Sequence, residues 1–219
     1  MVDWSVYLVT GASRSRGRST PEVVAAAIEG GVGVVQLREK DRTARERYRV
    51  GWDIRERTRE AGVAFVVNDR VDLALALSAD GVHLGDDDLP VPAARELLGP
   101  DALIGRSVSF VDDARDAEAA GADYLGVGAV YPTDSKSDIP DDEYAVGPER
   151  VAAIANAVDI PVVGIGGITP GNAAPVIEAG ADGVAVISAI TAADDPREAT
   201  RRLRETVDGA RGDGQDSRP

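Results

Sequence analysis

The stretch Pro161–Ser188, PVVGIGGITPGNAAPVIEAGADGVAVIS, reads as one complete unit of a parallel sheet. It opens on the apolar run Val162-Val163-Gly164-Ile165 and passes through the glycine-rich Gly164-Ile165-Gly166-Gly167-Ile168. An amphipathic helical pattern follows over Asn172–Ala179, and Gly180 stands just past it, where a left-handed turn favours glycine. The chain then re-enters an apolar run, Val184-Ala185-Val186-Ile187. Strand-like runs that alternate with helical periods indicate parallel pairing.

The same pattern extends back to the N-terminus. Six earlier runs are Val6–Val9, Val34–Leu37, Phe65–Val67, Val82–Leu84, Leu103–Gly105 and Tyr124–Val127. Helical patterns separate them at Pro21–Glu29, Ala44–Glu60, Val71–Ser78, Ala93–Leu98, Asp112–Ala120 and Pro148–Ala157, and a last one spans Pro196–Val207. Glu29-Gly30-Gly31-Val32 and Glu118–Asp123 repeat the helix-to-strand turn of Glu178–Gly183. Eight units point to an α/β fold, a single-domain (β/α)8 TIM barrel over residues 1–207. An open doubly wound sheet shows the same alternation, but eight units without a second domain favour closure. Asp208–Pro219 has almost no apolar residue and is expected to be a disordered tail. Ser137–Tyr144 is polar and acidic, and is expected to be a long loop after the sixth strand that closes over the mouth as a lid.

Composition excludes several chemistries. Of 219 residues, 43% are hydrophobic and 4% aromatic, so a core of Val, Ala, Ile and Leu is expected. With no cysteine there are no disulfides, thiolate nucleophiles or thiolate-bound metals. His83 is the only histidine, which excludes a His-cluster metal site; flanked by Val82 and Leu84, it reads as a structural residue. No apolar run reaches the length of a membrane span and no signal-peptide pattern opens the chain, so a cytoplasmic protein is expected. A net charge of −14 repels nucleic acid and anionic lipid, leaving small phosphorylated molecules as the expected partners and homo-oligomerisation open. The 38 acids include 25 Asp, and the 24 basic residues include only two Lys, a balance that suits high salt.

Those lysines, Lys40 and Lys136, fall in polar segments after strand-like runs. In such a barrel, chemistry sits at the C-terminal ends of the strands. The second strand leads through Gln36, Arg38 and Lys40, which alternate and so share one side, as donors to a phosphate or pyrophosphate. Asn68-Asp69 ends the third strand and Asp86-Asp87-Asp88 follows the fourth. Acids there suit one Mg2+ shared with substrate oxygens, although helix N-capping explains them equally well. The glycine loop after strand seven and Val186-Ile187-Ser188 after strand eight suit a second phosphate. Arg14, Arg16 and Arg18, spaced two apart, read as solvated charges more than as recruiters of anions.

Together, Gln36–Lys40, Asn68-Asp69, His83-Leu84-Gly85 with Asp88, Gly105-Arg106-Ser107, Gly126–Gly128 leading to Pro132–Lys136, Gly164–Ile168 and Val186–Ile190 resemble the thiamine-phosphate synthase family, in that family's order. The resemblance implies coupling of hydroxymethylpyrimidine diphosphate with hydroxyethylthiazole phosphate, releasing pyrophosphate. It implies that Gln36, Arg38, Lys40, Asn68 and Lys136 bind the pyrimidine diphosphate, with Arg38, Lys40 and Lys136 acting in catalysis. It further implies Asp69 and Asp88 on Mg2+, Ser107 on the pyrimidine, and Thr133, Ser135, Gly167, Ile187 and Ser188 around the thiazole phosphate. Two positions depart from the family: Asp86, where Gln is usual, and Ser109, where His is often found. A thiazole tautomerase, a sugar-phosphate isomerase and a non-catalytic phosphate binder are the competing readings.

Overall fold

A computed structural model describes residues 1–133 and 145–215, with side chains through residue 212. Eight parallel strands pair in chain order and close into a barrel: β1 (Val6–Val9), β2 (Val34–Leu37), β3 (Ala64–Asn68), β4 (Gly81–Leu84), β5 (Leu103–Val108), β6 (Tyr124–Val127), β7 (Val162–Ile165) and β8 (Gly183–Val186). Around it lie α1 (Thr20–Glu29), α2 (Ala44–Ala61), α3 (Val71–Ala76), α4 (Val91–Leu98), α5 (Val111–Ala119), α6 (Gly147–Ala155), α7 (Ala174–Glu178), α8 (Ser188–Thr191) and α9 (Pro196–Gln215). Capping boxes start the first two helices, Ser19 with Glu22 and Thr43 with Glu46. Among the described residues no helix is long and apolar enough to cross a membrane.

The strand period of two sorts each run into two cores. Val6, Leu8, Val35, Leu37, Phe65 and Val67 point outward to the helices and join the large aliphatic shell. Tyr7, Val9, Val34, Val66, Tyr124, Val163 and Ala185 point into the barrel. The outer shell is as aliphatic as the composition suggests. The inner one is not: Trp4 lies 4.5 Å from Tyr124, ring centre to ring centre, and Tyr7 is close beside them. Gly105 makes room for these rings, since a Cβ there would stand 2.2 Å from Cζ of Tyr124 and 2.5 Å from Nδ1 of His83.

The helix-to-strand turn seen in the sequence has a specific task. Asp80, Asp123 and Asp182 each precede an even-numbered strand, and each carboxylate accepts a backbone N–H of the strand before: Phe65 at 2.8 Å, Ile104 at 2.7 Å and Val162 at 2.8 Å. Asp123 also pairs with Arg95 at 2.5 Å. Ile104 is fully buried, so losing the carboxylate strands its N–H. Asp123→Ala is therefore expected to destabilise the fold by about 1–3 kcal/mol, the usual cost of a stranded buried donor. Chemical denaturation should show this as a lower midpoint with an unchanged slope.

The C-terminus departs from expectation. Instead of fraying at Asp208, α9 continues to Gln215. Tertiary contacts hold it: Val207 and Ala210 are buried, and the Arg211 guanidinium donates to Ser5 Oγ at 2.6 Å and to the Asp182 carbonyl. The short α8 was not legible in the sequence, and β5 runs on past Gly105 to Val108. That extension sets Arg106 and Ser107 in register with Leu125 and Gly126 of β6.

Candidate active site

At the C-terminal mouth of the barrel is a cavity of about 730 Å3, a common size for a small-molecule site. Gln36, Arg38, Lys40, Asn68, Asp69, Asp88, Ser107, Thr133, Gly167, Ile187 and Ser188 all line it. Ser135, Lys136 and the loop Ser137–Tyr144 lie outside the described residues.

β2 separates the motif around Gln36 by parity. Gln36, Arg38 and Lys40 face the mouth. Glu39, between them, is buried with φ of 32° and turns away. Its carboxylate accepts the Ala12 N–H at 3.2 Å and the Thr20 hydroxyl at 2.7 Å, and pairs with Arg42 at 3.3 Å. Glu39 thus anchors the loop after β1. The arginines of that loop differ: Arg16 is the exposed, solvated charge expected from sequence, whereas Arg14 and Arg18 are half-buried. Arg16 pairs with Asp194, and Arg18 donates to the carbonyls of Ala193 at 2.8 Å and Asp194 at 3.0 Å, tying the loop to the end of α8. Arg14 lines the cavity.

The acids divide as well. Asp88 accepts the Gly85 N–H at 2.7 Å, and Asp69 lies 3.3 Å from the Lys40 ammonium. Burial pushes the Asp88 carboxyl above its ordinary pKa and the neighbouring Asp69 charge adds to this, against the pull of the Gly85 N–H and Lys40. Two carboxylates facing each other in a polar cavity are a natural pair of ligands for a hard cation. N-capping does not account for them: Arg70 and Pro90 stand at the starts of α3 and α4, and neither helix has a side-chain cap. Asp86 is not part of the pair. It is exposed on the rim and held by Arg106 at 2.6 Å, an arginine that also donates to the Ser107 carbonyl at 2.8 Å. The extra negative charge at this position is therefore neutralised locally. Beside Asp69, the buried Asn68 side-chain N–H2 has no hydrogen-bond partner among the described residues. Such a group is costly unless a ligand accepts from it.

Across the mouth, the loop after β7 comes close to the loop after β6. Gly167 has φ of 64°, and a Cβ on it would lie 2.5 Å from the Pro132 carbonyl oxygen. Asn172 fixes this turn, accepting the Thr169 N–H at 2.7 Å and donating to the Gly167 carbonyl at 3.1 Å. The Tyr131 hydroxyl donates to the Asn172 carbonyl at 3.0 Å, joining the two loops. Backbone groups there can approach an anion closely, and Ile187 and Ser188 close the same side.

Beneath the mouth runs a chain of polar side chains from five strands. The Gln36 amide lies 2.7 Å from Tyr7 Oη, and Tyr7 Oη lies 2.9 Å from Tyr124 Oη. Tyr124 Oη is 3.1 Å from His83 Nδ1, and His83 Nε2 is 3.0 Å from Ser107 Oγ. Burial raises the pKa of both phenols well above the usual tyrosine value, so both stay protonated. The sequence hides this arrangement, because Tyr7 and Tyr124 sit in apolar runs that look like ordinary core. Ser109 Oγ donates to the Gly128 carbonyl at 3.4 Å, and the Ser109 carbonyl accepts from Arg150 at 2.9 Å.

Comparison with known proteins bears on this geometry. The family model for thiamine monophosphate synthase matches residues 6–190. The chain is 71% identical to the thiamine-phosphate synthase of Haloarcula marismortui, over 96% of this chain and 100% of that protein. It is 53% identical to the thiamine-phosphate synthase of Moorella thermoacetica, over 97% of this chain and 100% of that one. Thiamine phosphate pyrophosphorylase from Pyrococcus furiosus superposes with a TM-score of 0.86 at 42% identity, covering 95% of this chain and 97% of its own. With matches of this extent the sequence resemblance becomes an assignment: the chain belongs to the thiamine monophosphate synthase family.

Proposed function

We propose that this chain is a transferase of thiamine biosynthesis, coupling hydroxymethylpyrimidine diphosphate with hydroxyethylthiazole phosphate to give thiamine phosphate and pyrophosphate. The observation that carries the reading is one cavity in which Arg38 and Lys40 stand with the acid pair Asp69 and Asp88. Cations beside paired carboxylates suit a pyrophosphate and its counter-ion. A tautomerase or a plain phosphate binder has no use for both.

The chemistry needs no nucleophile from the protein. The C–O bond between the pyrimidine methylene and the pyrophosphate breaks, and the electron pair leaves with the pyrophosphate. The ring amino group delocalises the resulting positive charge, and the thiazole nitrogen lone pair then forms the new C–N bond. Arg38, Lys40 and Lys136 neutralise the leaving group as its charge develops. Gln36 and Asn68 hold the pyrimidine diphosphate, and Ser107 meets the pyrimidine ring. Thr133, Ser135, Gly167, Ile187 and Ser188 seat the thiazole phosphate so that its nitrogen faces the reacting carbon.

Asp69 and Asp88 fit Mg2+, an ion that takes one or two carboxylates and fills its remaining positions with water and substrate oxygens. When bound there, Mg2+ supplies positive charge to the pyrophosphate oxygens. We place the enzyme in the cytoplasm, with small phosphorylated partners and with neither nucleic acid nor membrane. Its acidic, lysine-poor surface suits concentrated salt, where self-repulsion is screened. Mass spectrometry of the thiazole phosphate after incubation tests the reading. Coupled product should appear only when the pyrimidine diphosphate is present. Rearranged thiazole without coupling would favour a tautomerase instead.

A further inference from the structure

We propose that His83 is a positioning residue: its Nε2 carries the proton and donates to Ser107, which leaves the Ser107 hydroxyl proton aimed into the cavity. The inference rests on the function proposed above for the identity of the molecule that meets Ser107.

Along the buried chain, each hydrogen bond sets the direction of the next. The Gln36 side-chain N–H2 can only donate, so at 2.7 Å Tyr7 Oη accepts from it. Tyr7 is 2% exposed, and among the described residues the other partner of its hydroxyl is Tyr124. The Tyr7 proton therefore goes to the Tyr124 oxygen, because the opposite direction would strand a buried donor. The Tyr124 proton in turn goes to His83 Nδ1, 3.1 Å away. A nitrogen that accepts is bare, and a neutral imidazole with a bare Nδ1 has its proton on Nε2. That proton points at Ser107 Oγ, 3.0 Å away. A hydroxyl that accepts from the protein side has its own proton left for the cavity side.

The orientation has a consequence for specificity. Ser107 meets the pyrimidine as a donor, so a bare ring nitrogen fits it. A ring bearing N–H at that point, as the oxo analogue of an aminopyrimidine does, cannot accept the Ser107 proton and so loses that hydrogen bond. Gln36, two tyrosines and a histidine thus decide what Ser107 can recognise, although His83 and Tyr124 need not react.

His83 is the only histidine, so a chain labelled with 15N-histidine gives a single imidazole spectrum. At alkaline pH, where an ordinary imidazole is neutral, Nε2 should be protonated and Nδ1 bare in the native protein. Tyr124→Phe should lose this single tautomer. A native spectrum with the proton on Nδ1 would overturn the inference, since it means the Gln36 amide is turned and the whole chain runs the other way. The kinetic arm uses the pair of positions, which are not bonded to each other directly. Tyr124→Phe should lower kcat/KM for the pyrimidine diphosphate about fivefold, roughly the worth of one ordinary hydrogen bond. In a Ser107→Ala background the same change should cost less than about twofold. Equal losses in both backgrounds would show that Tyr124 acts on the fold and not through Ser107. If the native chain fails to couple the two substrates, the function proposed above falls, and the imidazole spectrum still decides the direction of the chain.

Discussion

Arg38→Ala and Lys136→Ala are each expected to lower the coupling rate at saturating substrate by at least about tenfold, while the barrel stays folded. Tenfold corresponds to about 1.4 kcal/mol of transition-state stabilisation. The loss should appear in kcat because pyrophosphate carries more charge as it departs than while it is bonded to the pyrimidine, so a cation beside it gains strength along the reaction. Arg38 suits this role by position: it lines the cavity, and the Thr10 hydroxyl holds its backbone N–H at 3.1 Å. Removing the guanidinium leaves that strand contact in place. Steady-state kinetics with circular dichroism on each variant checks the expectation. Near-normal turnover by either variant would remove that residue from the leaving-group role.

Asp88→Asn is expected to raise the Mg2+ concentration needed for half-maximal activity on the order of tenfold or more, and Asp86→Asn to change it less than about twofold. The two residues are close in sequence, and charge alone would not separate them. Their surroundings do. Asp88 is partly buried and faces Asp69, so its charge is costly without a cation. Asp86 is exposed and already paired with Arg106. Metal titration of both variants decides the matter, and a larger shift from Asp86→Asn would mean that this chain ligates its metal differently.

Much of the fold could be read from local pattern because the barrel strands are largely buried on both faces. Val6–Val9 and Val162–Ile165 stand out as short apolar runs, and the helix between each pair is amphipathic. Which face of a run looks inward depends on partners far along the chain, and that is why Tyr7 and Tyr124 passed for aliphatic-type core. Most of the mouth was legible because Gln36, Arg38, Lys40, Asn68 and Asp69 are polar where a strand end would otherwise be apolar. The second tier of residues was not. Glu39 serves the loop before it, Asn172 the loop after β7, and Arg106 the charge on Asp86, each through contacts between separate strands or loops. The last turns of α9 were missed for the same reason, since Arg211 is held by Ser5 and Asp182 and not by anything in its own segment.

The central claim is that Arg38, Lys40, Asp69 and Asp88 serve the departure of a pyrophosphate captured by a thiazole. It is tested most directly by measuring pyrophosphate and thiamine phosphate together in one reaction of the purified chain with both substrates and Mg2+. The account predicts equal amounts of the two products, and neither when either substrate or the divalent cation is left out. Thiamine phosphate formed without the metal, or pyrophosphate released at full rate without the thiazole, would contradict it.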